Sequence, residues 1–208
     1  CLATHGADVD DPVSSPTPLH VAAEHGHLDA VDELLALGAD AHHYGDGEDL
    51  PMYGAARGGN AKIITRLATL GVGVDERNAF ELTPLFGAAS YGNAHAAFTL
   101  VSHGAAVNAV VEGLDTPLHW AADNGYVDVI NTLIALGATV DARSAHRATP
   151  FHSAVRRNPY EAAHALLCQS AILDFPPLQS QASSKRYKVT IKGVLAAGYT
   201  FCVSAFHL

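Results

Sequence analysis

The chain has 208 residues, of which 49% are hydrophobic and 16% charged, with a formal net charge of −9. That balance excludes an intrinsically disordered chain, which needs low hydrophobicity and high net charge. No apolar run reaches the roughly 18 residues of a bilayer-spanning helix, so no membrane span is expected. The N-terminus lacks the basic-then-apolar pattern of a signal peptide. Three widely separated cysteines (Cys1, Cys168 and Cys202) argue against a disulfide framework. They fit a reducing compartment, the cytoplasm, with the nucleus as the alternative.

Residues 1–10, CLATHGADVD, match the later stretch LVSHGAAVNA at 100–109. The chain is therefore expected to begin inside a repeated unit, as a fragment. From Thr17 the first full unit reads TPLHVAAEHGHLDAVDELLALGADAHH. Its pattern returns 33 residues on at Leu50, then at Thr83, Thr116 and Thr149. A fixed period of this length is the sequence signature of a stacked array. Thr before Pro starts a helix, because the hydroxyl accepts from a first-turn amide. Proline at the first helical position wastes no amide. The spacing predicts a short first helix such as Pro117–Asp123, carrying paired alanines (Ala22/Ala23 to Ala121/Ala122) that let helices approach closely. A glycine follows (Gly26, Gly59, Gly92, Gly125) as a helix stop. The second helix carries apolar residues at helical spacing, for instance Val127, Ile130, Leu133 and Ile134, and a second glycine follows it.

The unit at Leu50 departs from the pattern with Leu50-Pro51-Met52-Tyr53, losing the cap and the histidine. Its extra glycines cost about 0.5–1 kcal/mol each, so it is expected to be the weakest. The unit at Thr116 has every cap and turn residue and is expected to be the stable centre. In the unit at Thr149, Arg156 and Arg157 precede Asn158-Pro159, as befits a terminal unit with a wettable outer face. From Phe175 the period stops. Lys185–Lys192 alternates as a strand would. Val194–Leu208 lacks charged residues and is read as weakly ordered, with a truncated span or a padding strand as alternatives.

The 33-residue period with T-P-L-H-x-A resembles the ankyrin-repeat family over residues 1–174. The resemblance implies an all-α solenoid of stacked helix-turn-helix units with β-turn fingers. Its divisions are a partial repeat (1–16), repeats at 17–49, 50–82 (degenerate), 83–115 and 116–148, a capping repeat at 149–174, and a non-repeat tail at 175–208.

Chemistry is weakly signalled. Thirteen histidines invite a metal hypothesis. His20, His119 and His152, however, recur once per unit and do not converge as zinc ligands must. In the family this histidine is structural. His25, His27, His42 and His43 form a looser set with no partner at ligand spacing. Cys168 falls on the last second helix and is read as a small core residue. Gly71-Val72-Gly73 lacks the residues of a phosphate loop, so no cofactor, metal or catalytic residue is assigned.

The resemblance implies a protein-protein interaction module, probed through the concave face built from first helices and finger tips. The implied partner-binding residues are Tyr44, Arg57, Arg77, Phe80, Tyr91, Trp120, Asp123, Asn124, Arg143, Arg156 and Arg157. Trp120, the only tryptophan, leads them, because Trp, Tyr and Arg dominate interface hot spots. In the family, an asparagine placed as Asn108 is can be hydroxylated; the competing reading is that it stabilises the turn into the finger. The repeat region carries eight basic residues against 21 acidic ones, which argues against nucleic acid and leans toward a protein partner, a basic one among them. The module is expected to act as a monomer. The alternative class is the ankyrin part of a larger enzyme or membrane protein: a kinase, an acyltransferase, a channel or a ubiquitin-ligase substrate adaptor.

Overall fold

The computed structural model describes residues 10, 16–43, 49–157 and 160–168. Among the described residues, ten helices alternate between two rows. The first helices of the units are α1 (Pro18–His25), α3 (Pro51–Arg57), α5 (Pro84–Tyr91), α7 (Pro117–Asn124) and α9 (Pro150–Arg157). The second helices are α2 (Leu28–Ala36), α4 (Ala61–Thr69), α6 (Ala94–Ser102), α8 (Val127–Ala135) and α10 (Tyr160–Cys168). Among the described residues there are no strands, so the expected all-α solenoid stands. Expected features that fall on Tyr44, Asn158-Pro159 and the segment from Phe175 onward lie outside the described residues.

The start signal works as its chemistry predicts. Thr17 is extended and its side chain accepts from the His20 amide. At α7 the device is reciprocal: Thr116 Oγ1 and His119 Nδ1 lie 2.9 Å apart, and the Thr116 amide donates to the same Nδ1 at 3.1 Å. Gly26, Gly92 and Gly125 close α1, α5 and α7 in the left-handed region. In repeat two Gly59 takes the same left-handed conformation, φ 76°, but α3 already ends one residue earlier, at the right-handed Gly58. Its lack of a side chain answers to space, since a Cβ there would sit 1.9 Å from the Glu24 carbonyl.

Alanines carry the packing of the first row. Ala23, Ala55, Ala56, Ala88, Ala89, Ala121 and Ala122 are all fully buried. Leu19, Met52, Leu85, Leu118 and Phe151, one per unit, sit beside them in the same core. Removing such a leucine costs about 2–5 kcal/mol. Val31, Ile63, Leu100, Ile130 and Leu166 bring the second helices into that core. Neighbouring first helices pack more extensively than neighbouring second helices. The stack therefore curves, with the first-helix row on its inner side.

Polar side chains stitch each unit to the next. Asn60 donates to the Ala23 and Glu24 carbonyls at 2.8 and 2.7 Å, and Asn93 to those of Ala56 and Arg57 at 3.2 and 2.7 Å. Both satisfy carbonyls that a helix end leaves open. Repeat two, which lacks the Thr cap, gains a hub. The Asp49 carboxylate accepts from Arg57 at 3.1 Å and from Asn78 at 2.7 Å, while its backbone carbonyl accepts from His20 Nε2.

One expectation fails. Cys168 is exposed, not core. It is the last residue of α10, and its Sγ lies 3.6 Å from His164 Nε2 on the outer surface. Ala162, Ala163 and Leu166 fill the core positions instead.

Candidate partner-binding face

Three positions of each first helix make up the candidate inner face. They lie one, four and five residues after the histidine slot. The first runs Val21, Gly54, Gly87, Trp120, Ser153; the second Glu24, Arg57, Ser90, Asp123, Arg156; the third His25, Gly58, Tyr91, Asn124, Arg157.

The charges of this face are already paired. Arg57 holds Glu24 with two bonds, Nε to Oε1 at 3.0 Å and Nη2 to Oε2 at 2.6 Å, and reaches Asp49 with Nη1. The Glu24 hydrogen bond is the main cause that raises the Arg57 pKa further. At the other end Asp123 takes two guanidiniums, Arg156 and Arg157, each at 2.7 Å. Between these clusters Ser90 turns its hydroxyl back to the Phe86 carbonyl at 2.7 Å. Asn124 likewise donates to the Trp120 carbonyl at 2.9 Å.

The aromatic residues have two levels. Tyr53 and Phe86 occupy the histidine slot in repeats two and three, and both are buried. The Tyr53 ring lies against Gly87, where a Cβ would approach it to 3.3 Å. Burial raises the Tyr53 phenol to about 12, with the Asp49 carboxylate adding to the effect. Trp120 is half-buried and meets Phe86 edge to face. Tyr91 is 56% exposed and lies within electrostatic reach of Tyr53 and Arg57.

On the fingers, Arg77 is a brace: it donates to the Glu81 carbonyl at 2.6 Å and across to the Val110 carbonyl of the next finger at 3.1 Å. Phe80, on the same turn, is 62% exposed. Arg143 is exposed on the following finger. Asn108 is engaged in both directions, accepting from the Thr139 amide at 2.8 Å and donating to the Gly137 carbonyl at 3.3 Å. Asp10 and Asp75 make the equivalent acceptor bonds to the Asp40 and Ala106 amides. His42 holds this position one unit earlier and cannot accept in the same way. Glu76 takes over, accepting from the Gly73 amide at 3.2 Å and facing His42 at 3.1 Å.

Family models for ankyrin repeats in three copies and in many copies match residues 52–144 and 19–68 respectively. The chain belongs to the ankyrin-repeat family. Comparison with curated proteins returns no match. Within an ankyrin stack the recurrent histidine reads as a linker. His119 Nδ1 receives the Thr116 amide, so Nε2 carries the proton and donates to the Ala148 carbonyl of the next unit at 3.1 Å. Burial lowers the pKa of both His20 and His119, keeping them neutral. His25 and His27 stack at 6.4 Å while His42 turns to Glu76. Among the described residues no three His, Cys, Asp or Glu side chains gather to hold a metal. No described helix is long and apolar enough to cross a membrane.

Sequence reasoning placed Arg57, Asp123, Arg156 and Arg157 on one face and missed that Arg57 pairs with Glu24 and Asp49, and Arg156 and Arg157 with Asp123. The signal was present: Glu24 and Arg57, and Asp123 and Arg156, are complementary charges one full period apart.

Proposed function

We propose that this ankyrin stack is a docking module whose concave face binds a protein partner and performs no chemistry of its own. Ankyrin repeats are in general protein-interaction modules, and that generality supports the reading. The observation that carries it is Tyr91, a largely exposed aromatic on α5, the central helix of the inner row. Large aromatics in such positions supply interface area at low entropic cost. The inner-row arginines are held by the stack's own carboxylates, which leaves little cationic surface for a phosphate backbone.

Affinity capture from native extract tests the assignment of the face. Tyr91→Ala is expected to abolish recovery of bound protein. Phe98→Ala, which removes an exposed aromatic from α6 in the outer row, is expected to leave it intact. The reverse pattern would move the docking surface to the convex side.

A further inference from the structure

We infer that the junction between repeats three and four is a hinge, about which repeats four and five move against repeats one to three. The inference goes beyond the docking reading and does not depend on it.

Among the described residues, the other three junctions each carry directional polar links. From repeat one to two these are the Asn60 bonds to the Ala23 and Glu24 carbonyls, the Arg57–Glu24 pair and the Arg66–Asp32 pair at 2.6 Å. From two to three they are the Asn93 bonds to the Ala56 and Arg57 carbonyls. From four to five Asp123 holds Arg156 and Arg157, and His119 donates to the Ala148 carbonyl.

Between three and four, rings occupy both linker positions. Tyr126 stands where Asn60 and Asn93 stand in their units, and Phe86 stands where His20 and His119 do. Tyr126 packs over Gly92, where a Cβ would lie 2.9 Å from its ring, and Phe86 meets Trp120 edge to face. Ser90, Thr99, Ser102, Asn124 and Thr132 all bond back within their own helices. Among the described residues no side-chain hydrogen bond or ion pair crosses from α5 or α6 to α7 or α8. Neighbouring first helices also pack least at this step. The second helices pack least between α2 and α4, and there the Arg66–Asp32 pair crosses.

The polar links that do cross lie at the fingers. Asn108 engages the Gly137 carbonyl and the Thr139 amide, and the Ala145 amide donates to the Gly113 carbonyl at 2.7 Å. Hydrogen bonds fix angle as well as distance, whereas apolar contact is non-directional and lets packed helices slide by small steps. Pinned at the fingers and joined elsewhere by rings and alanines, this junction yields to a tilt that the other three resist. Tyr91 on α5 and Trp120 on α7 stand on opposite sides of it, so the tilt changes the curvature of the inner face between them.

The test uses the whole chain carrying Cys1→Ser, Cys168→Ser and Cys202→Ser. Ala36, Thr69, Ser102 and Ala135 are exposed and stand at equivalent places on successive second helices. Nitroxide labels at Ala36→Cys/Ser102→Cys span the first two junctions; labels at Thr69→Cys/Ala135→Cys span the second and the third. Distance distributions are read by pulsed electron spin resonance. The Thr69/Ala135 distribution is expected to be at least about twofold wider, as a population of tilted states requires. By the 33-residue period, Tyr126→Asn sets a donor toward the Ala89 and Ser90 carbonyls, and it is expected to narrow that distribution to the Ala36/Ser102 width. A Thr69/Ala135 width no greater than the Ala36/Ser102 width overturns the inference. So does a width that Tyr126→Asn leaves unchanged in a chain of native circular dichroism. Should Tyr126→Asn fail to fold, the comparison of the two label pairs decides alone.

Discussion

The rings of Phe86 and Trp120 meet edge to face, with centroids 5.4 Å apart and planes inclined at 75°. They belong to successive repeats, and Phe86 stands where His20 and His119 stand in their own units. The histidine links its repeat to the next through a carbonyl; Phe86 does so through a ring. Trp120 is therefore part fold and part surface. A double-mutant cycle with Phe86→Leu and Trp120→Leu separates the two. The coupling is expected at about 0.5–1.5 kcal/mol, the range of aromatic pairs. A coupling near zero in urea unfolding would mean that the ring pair does not join these repeats.

Replacing histidine by Phe86 has a second effect, on Thr83. Its hydroxyl is buried and makes no hydrogen bond, whereas the Thr17 and Thr116 hydroxyls lie 2.8 and 2.9 Å from their histidines. A buried hydroxyl without a partner leaves its desolvation cost unanswered, and its removal exposes no unmet group. Thr83→Val is expected to leave stability unchanged or to raise it, by up to about 1 kcal/mol. Thr116→Val, which breaks a formed cap, is expected to cost about 1–2 kcal/mol. Equal costs for the two in denaturant unfolding would show that Thr83 finds a partner in solution.

How far the sequence carried the fold can be judged at these same positions. Thr-Pro, the paired alanines and the terminal glycines act through local chemistry, so Thr17, Gly26 and Ala121 were legible as caps, stops and close contacts. Pairings between repeats were not, because they depend on which residues stand opposite one another once the units stack. Arg57 looked like a free contact residue and is held by Glu24 and Asp49. Cys168 looked like core because its helix was right and its turn of the helix was not. Leu50 looked like a lost cap, and nothing local announced that Asp49 would tie His20, Arg57 and Asn78 together. At the candidate site, the residue types were legible and the ion pairs between repeats were not.

The finger tips store strain at a regular interval. Glu81, Leu114 and Arg147 adopt φ of 60°, 59° and 57°, one residue per finger and 33 apart. Each closes the same turn, as where Arg147 donates to the Ser144 carbonyl at 2.8 Å and Ser144 to that of Ala148 at 2.9 Å. Left-handed backbone costs a residue with a Cβ about 1–2 kcal/mol. Arg147 is exposed, so its side chain gives little in return. Arg147→Gly is expected to stabilise the chain by about 1 kcal/mol after glycine's own entropy is counted. Arg147→Ala keeps the strain and is expected to be neutral within about 0.5 kcal/mol. A glycine variant no more stable than the alanine variant in urea would show that the turn carries no such strain.

The neutral histidine links make the stack sensitive to mild acid. Burial lowers the pKa of His20 and His119 below the ordinary value of 6.5. In the unfolded chain they titrate near that value, about 6.5. Between the two values the unfolded chain binds more protons than the folded one, so stability rises with pH across that window. Their contribution is complete above about pH 6.5 and drains away as pH falls from there toward the folded-state values. Urea midpoints measured from about pH 7.5 down to about pH 5 are expected to fall, ahead of the carboxylate titrations that begin nearer pH 4. The double variant His20→Gln/His119→Gln cannot take up those protons. Its midpoint is expected to be lower at neutral pH and flatter through the same interval. An unchanged slope in the double variant would assign the acid sensitivity to other groups.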